Sequence, residues 1–174
     1  MSDVNSTIMD ILHTVHSYSA ALSPPTLRYL GIENAIAELC QQTEISYDIR
    51  VRFSSEGRIQ SMGQDLDNLA WHAVQELLTN VVKHARATRV AVWLKARNGF
   101  LQVLVHDNGG GMAPEESGAG FSRTGGYGLF ALRERTEQIG GVFEVSSRRG
   151  STQVSLTIPL VRRNEHADRY HFGG

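Results

Sequence analysis

The stretch VHDNGGGM, residues 105–112, ends an apolar run on a carboxylate and follows it with three consecutive glycines. Ordering three glycines costs a folded chain more entropy than ordering any other residues. Asp-Asn-Gly is ordinary turn chemistry, and that is one reading of it. The other is a strand-end carboxylate held beside a backbone stripped of Cβ atoms. There Asp107 would accept a hydrogen bond from an exocyclic amino group while a flat ring slides along the glycines.

Upstream, residues 100–106 read as a strand joined through the hairpin signal Asn98-Gly99 to the alternating Val90, Val92 and Leu94. The clearest helix precedes it, over about residues 64–85, where Leu66, Leu69, Ala70, Ala73, Val74, Leu77, Leu78 and Val81 form an unbroken apolar stripe. Downstream, a polar glycine-rich loop at residues 113–125 leads to a helix marked by Leu129, Leu132, Thr136 and Ile139 and closed by Gly140-Gly141. Strands at 142–146 and 152–158 follow, joined by Arg148-Arg149-Gly150.

Towards the N-terminus, Ile8, Ile11, Leu12, Val15, Tyr18 and Leu22 predict an amphipathic helix over about residues 3–22, stopped by Ser23-Pro24-Pro25. Leu30, Ala35, Ile36 and Leu39 predict a shorter helix after Gly31. From residue 45 the period changes to two, with Ile45, Tyr47, Ile49, Val51 and Phe53 on one face of a half-buried strand. Residues 162–174 are polar and without period, as a tail would be. The order of elements predicts an α+β fold: a two-layer α/β sandwich whose mixed sheet is covered on one face by helices, with an additional N-terminal helix.

Composition narrows the function classes. The chain is 41% hydrophobic and 20% charged with a net charge of −1, so no overall field favours nucleic acid or an anionic membrane. Cys40 is the only cysteine, which excludes an internal disulfide and makes a reducing, cytoplasmic setting the natural expectation. No apolar run approaches the ~20 residues of a membrane span.

On the long helix, Glu76, Asn80, Lys83 and His84 stand at i, i+4, i+7 and i+8, along one edge of the apolar stripe. A solvated helix face is the plain reading. The sharper one is a phosphate chain with a divalent cation, for which Asn supplies an oxygen, Lys a point charge and Glu a carboxylate. Gly125-Gly126-Tyr127-Gly128 opens the next helix, so backbone N–H groups at its positively polarised start are suited to phosphate oxygens.

Taken in order, these segments resemble the Bergerat-fold (GHKL) ATP-binding domain shared by sensor histidine kinases, gyrase, Hsp90 and MutL. QELLTNVVKHARAT is similar to the family's N box, DNGGGM to its G1 box and GGYGLFALRERTEQIGG to its G2 box. RRGSTQVSLTIPL is similar to the last motif, with Ser151 where a glycine is usual and Thr152 at the usual threonine. The resemblance implies ATP and Mg²⁺ as ligands. It implies Glu76, Lys83 and His84 in catalysis, and Asn80 and Glu76 at the metal. It further implies nucleotide contacts from Asn80, Asp107, Gly109, Gly111, Met112, Gly126, Tyr127, Gly128, Leu129 and Thr152, with Asp107 on the adenine amino group and residues 113–125 as a lid in which Phe121 docks.

The Asn-Val-Val-Lys-His-Ala run, the Gly-Leu-x-x-Leu-x-x-Arg helix and the short lid are similar to sensor kinases of the nitrate-sensor and DesK type. On that resemblance, residues 1–30 are the remnant of a second dimerisation helix and its linker, 31–161 the ATP-binding catalytic domain and 162–174 a flexible tail. The family's phosphorylated histidine lies in an Arg-rich run ending His-Asp or His-Glu. His13 and His16 lie instead in LHTVHS, and His72 and His106 match no family role.

The chain is therefore expected to be a portion of a longer kinase, the parent being compatible with a membrane anchor. It would transfer the γ-phosphate to a histidine helix supplied from elsewhere, for relay to a response regulator, with a possible homodimer through the N-terminal helix and no nucleic-acid partner. The alternatives are an anti-sigma-type serine kinase, an ATP-driven clamp, or a nucleotide-controlled binding module without kinase activity.

Overall fold

The computed structural model describes residues 23–112 and 127–160. The expected helix over 3–22, the lid at 113–125 with Phe121, Gly126 and the tail at 162–174 lie outside the described residues. Helix α1 (Pro25–Tyr47) opens with Pro25 at its first position, where the missing amide is not needed. Gly31 interrupts it at φ 83°, so a short helical piece precedes the longer one expected after that glycine. Ser23 Oγ donates to Asn68 Oδ1 at 2.6 Å and ties the start of α1 to the next helix.

Strand β1 (Arg50–Glu56) is followed by α2 (Gln64–Asn80), which continues into a single π-helical turn, Val81–Ala85. Then come β2 (Arg89–Arg97), β3 (Phe100–Asp107), α3 (Tyr127–Gln138), β4 (Val142–Arg148) and β5 (Ser151–Pro159). The sheet order is β1-β2-β3-β5-β4, with β1 parallel to β2 and every other pairing antiparallel. A parallel pair needs a crossover connection, and α2 with its π turn supplies it.

The expected strand start at residue 45 is corrected. The chain stays helical to Tyr47, and Ile45 and Tyr47 are 75% and 58% exposed. Asp48, left-handed at φ 53°, ends the helix, and Ile49 then enters the core. Nothing breaks the helix before Asp48, so a short alternating pattern did not suffice to make a strand.

Alternation does decide the sheet's two faces. Val90, Val92 and Leu94 of β2, Leu101, Val103 and Val105 of β3, and Val154, Leu156 and Ile158 of β5 are all buried. They meet the apolar stripe of α2, from Leu66 to Leu78, and Leu129 and Leu132 of α3 in one core. Cys40 lies in this core, and burial, helped by Glu44, pushes its thiol up to about 12. Such a thiol is unreactive at neutral pH.

The turns follow their chemistry. Asn98 and Gly99 both take positive φ in a two-residue hairpin loop. Gly140 N–H donates to Glu137 O and Gly141 N–H to Thr136 O at 2.9 Å each, closing α3 with the expected glycine cap.

Candidate functional site

Because the side-chain face repeats every second residue, the face that buries Val105 also carries Asp107, and the register sets Asp107 opposite Thr152 on β5. Thr152 in turn lies opposite Ser147 on β4. A carboxylate and two hydroxyls therefore form a row at one end of the helix-covered face. Asp107 is 5% exposed and Thr152 7%.

Beside this row lies a cavity of about 380 Å³, lined by Glu76, Leu77, Asn80, Val81, His84, Ala85, Val105, Asp107, Gly111, Met112, Gly128, Leu129, Thr152 and Val154. Helix α2 thus presents its polar edge to the sheet's strand ends, and the cavity occupies the gap between them. Its walls are mostly apolar with a few converging polar groups, as ligand sites commonly are.

The glycine run explains itself by close approach. A Cβ on Gly109 would come within 2.7 Å of Ala85 Cβ and 2.8 Å of Asp107 Oδ1. At Gly111, which has φ 85°, a Cβ would sit 2.8 Å from Arg148 O. The loop passes between the π turn on one side and the β4–β5 hairpin on the other. Gly110 N–H donates to Ala85 O and Gly150 N–H to Gly109 O, both at 2.8 Å. Asp107 and Gly109 make the local bond of an Asx turn, and the glycine backbone lies close against its neighbours, with Gly111 and not Gly109 among the cavity-lining residues.

Asn108 holds the same region from outside. Its Oδ1 accepts from Thr88 and Arg89 N–H at 2.9 Å each, and its Nδ2 donates to Thr88 Oγ1 at 3.0 Å. The sequence reading passed over this residue, although Asn after a strand end is a common local hydrogen-bonder.

Asp107 Oδ1 accepts the Gly109 N–H at 2.7 Å. Its other oxygen takes no hydrogen bond among the described residues, which leaves an acceptor on a residue that lines the cavity. Burial raises the carboxyl above the usual aspartate range, against the opposing pull of the Gly109 N–H and the His106 imidazole. Asn80 Nδ2 donates to Glu76 Oε1 at 3.4 Å, leaving its amide oxygen and the second carboxylate oxygen as a hard donor pair. Gly128 at the start of α3 lies directly against the Glu76 carboxylate.

Of the residues singled out from sequence, Glu76, Asn80, His84, Asp107, Gly111, Met112, Gly128, Leu129 and Thr152 come together around the cavity. Lys83 is exposed and is not among the lining residues, because the π turn widens the helix just where the expected i+7 alignment would bring it in. Tyr127 begins α3. His106 faces the other side of the sheet, with Nε2 3.0 Å from Ser151 Oγ.

Ser147 was not foreseen. Its Oγ accepts the Met112 N–H at 2.8 Å and lies 3.2 Å from Thr152 Oγ1. The signal was present in its register: an inward position of β4 that carries a hydroxyl rather than the apolar group of Phe143 or Val145.

A family model described as "Histidine kinase-, DNA gyrase B-, and HSP90-like ATPase" matches residues 65–162. The sensor histidine kinase LiaS of Bacillus subtilis (strain 168) is 34% identical over 140 residues, 80% of this chain and 37% of LiaS. The oxygen sensor histidine kinase NreB of Staphylococcus carnosus (strain TM300) is 29% identical over 152 residues, 86% of this chain and 42% of NreB. The chain thus spans about two fifths of the length of these relatives.

Among solved structures, the histidine kinase domain of the Erythrobacter litoralis EL346 blue-light activated kinase superposes with a TM-score of 0.59 at 21% identity, over 74% of this chain and 65% of that one. The Acinetobacter baumannii histidine kinase AdeS gives 0.61 at 10% identity, over 90% and 83%. At such identities these two show a shared fold.

Proposed function

The chain belongs to the family of histidine kinase-, DNA gyrase B- and HSP90-like ATPases, and from that premise we propose that it is the ATP-binding catalytic portion of a two-component sensor histidine kinase. The observation that carries the reading is the pairing, around one cavity, of a buried carboxylate with a free acceptor oxygen, Asp107, and a carboxamide–carboxylate pair, Asn80 with Glu76. The first suits the amino edge of a purine and the second a cation-bound phosphate chain.

In this reading Asp107 accepts from the adenine amino group, and Gly111, Met112 and Leu129 border the ring. The backbone at the start of α3, Tyr127 and Gly128, would face the phosphates, since a helix start favours anions. Asn80 and Glu76 would hold Mg²⁺, which supplies neutralisation of the phosphate charge when bound. Glu76 would also take the proton from an attacking imidazole, and Gly128, packed against its carboxylate, limits where that group can point. His84 offers an imidazole nitrogen at the cavity wall, and Lys83, outside the lining residues, a positive charge on the same π turn. The protein's work is positioning and charge neutralisation.

The phosphoacceptor is a histidine on a dimerisation helix, and a response regulator receives the phosphoryl group. The proposed organisation is residues 1–30 as the end of the second dimerisation helix and linker, 31–161 as the catalytic domain and 162–174 as a tail, in a cytoplasmic setting. Among the described residues no helix is long and apolar enough to cross a membrane.

The test is transfer from γ-labelled ATP with Mg²⁺ to a histidine-bearing dimerisation segment of a related sensor kinase, scored for acid lability and base stability of the label. Label of that profile, dependent on this chain, supports the proposal. ATP bound without any transfer would favour a nucleotide-controlled binding module, and label stable to acid would favour a serine kinase.

A further inference from the structure

The helices pack through the core on one face of the sheet, and the alternate residues of each strand form the other, where Trp93 of β2 stays 37% exposed. The residues of that outer face are sorted by row. Nearest the end that carries Asp107, Arg50 on β1 stands directly opposite Arg89 on β2. Arg52, two residues along β1, lies opposite Ala91, and Ala91 opposite His106 on β3. The next row holds Ser54, Trp93 and Leu104. Glu56, the one carboxylate that β1, β2 and β3 place on this face, comes a row later and is already paired with Lys95 at 2.8 Å.

Three exposed guanidinium groups thus share one corner of the sheet, and none of them has an ion-pair or side-chain hydrogen-bond partner among the described residues. Like charges directly opposite on neighbouring strands are destabilising, so the corner is unfavourable until an anion reaches it. It is also concave. Arg50, Arg52, Arg89, Trp93, His106 and Asn108 border a hollow of about 360 Å³. Trp93 borders a second hollow, with Leu104 in its wall.

We infer that this corner is a docking surface for an acidic segment of a protein partner, whose carboxylates meet Arg50, Arg52 and Arg89 and whose neighbouring apolar side chain packs on Trp93 and Leu104. Arginine matches a carboxylate with two parallel hydrogen bonds, and arginine and tryptophan are the residues that most often carry the binding energy of protein interfaces. A long polyanion fits less well. Nucleic acid carries its charge continuously, and beyond the arginines it would meet Glu44 and Asp48, which share the adjoining hollow with Arg50 and Arg89.

The experiment is fluorescence anisotropy with a dye-labelled ten-residue peptide of glutamates flanking a leucine pair, and with the same peptide carrying glutamines for glutamates. Each is titrated with the wild-type chain and with Arg52→Glu, Arg89→Gln, Arg89→Glu and Trp93→Thr. Arg89→Gln relieves the like-charge pair and should keep or slightly raise thermal stability, and threonine suits a strand, so the comparison survives if a charge reversal unfolds. The expected result is binding of the acidic peptide that falls about tenfold in Arg52→Glu and Arg89→Glu, and less in Arg89→Gln and Trp93→Thr. It should weaken as salt rises from about 0.05 to 0.3 M, and the glutamine peptide should bind far less. No binding of the acidic peptide, or an affinity unchanged by these substitutions, would overturn the inference. A single-stranded oligonucleotide of equal charge, or vesicles containing phosphatidylserine, bound more tightly than the peptide and lost in the same variants would overturn it in favour of a nucleic-acid or membrane surface.

Discussion

Gly110 donates its backbone N–H to the Ala85 carbonyl at 2.8 Å, and through that bond the loop after β3 is fastened to the π turn that ends α2. The last carbonyls of a helix have no partner within it, and with the left-handed Arg86 ending the π turn, the Ala85 carbonyl is taken by the loop. The helix bearing Glu76 and Asn80 is thereby held in register with the strand bearing Asp107.

The three glycines are therefore unequal. Gly109→Ala and Gly111→Ala should each destabilise the fold by about 1–3 kcal/mol, because a Cβ would press on backbone that cannot move freely. Gly110 meets only Ala85 O, at 3.8 Å from a Cβ, and does not have a positive φ. Gly110→Ala should stay within about 1 kcal/mol of wild type. Urea denaturation of the three variants checks the order, and equal losses at all three would contradict it.

Gly128→Ala should separate stability from activity. Alanine favours a helix by about 0.8–1.0 kcal/mol over glycine, while its methyl would displace the Glu76 carboxylate, the end of a flexible side chain. Thermal unfolding should be unchanged or slightly raised and phosphoryl transfer strongly reduced. Wild-type transfer rates in this variant would remove Glu76 from the proposed chemistry.

Asp107 should confer a pH dependence of defined sign. Its folded-state carboxyl lies above the usual aspartate range through burial. Its contribution to stability is fully present below the ordinary aspartate value and is lost as pH rises through the raised one. ATP affinity runs the other way, since the ionised carboxylate is the stronger acceptor. Titrations over about pH 4 to 7 should show affinity rising with a midpoint above the ordinary aspartate value, and Asp107→Asn should abolish that step. A midpoint at or below that value would contradict the assignment.

Asn80→Ala should lower Mg²⁺-dependent phosphoryl transfer by about two orders of magnitude, as removal of one directly stabilising group does elsewhere. Nucleotide affinity measured without Mg²⁺ should fall far less. A variant with normal transfer in the reconstituted assay would refute a role for Asn80 at the metal.

Much of this arrangement is legible in the sequence because it rests on short-range signals. Alternation at Val90, Val92 and Leu94 sets the buried face, and the same period carries it to Asp107. Asn98-Gly99 and Gly140-Gly141 announce their turns. Periodicity is blind to the π turn, since Val81 continues the apolar stripe whether the last turn is α or π, and so Lys83 seemed to share an edge with Asn80. The early strand start at Ile45 failed for the opposite reason, an alternation that happened to fall inside a helix. Ser147 escaped notice because its significance comes from register with Thr152 across the β4–β5 hairpin, a relation that only the folded sheet creates.

The most direct test of the nucleotide site is calorimetric titration of ATP and GTP, with Mg²⁺, into the wild-type chain and Asp107→Asn. The account predicts that wild type binds ATP in preference to GTP, and that Asp107→Asn loses at least about tenfold in ATP affinity, the equivalent of about 1.4 kcal/mol, with a much smaller change for GTP. Unchanged ATP affinity in Asp107→Asn would contradict it.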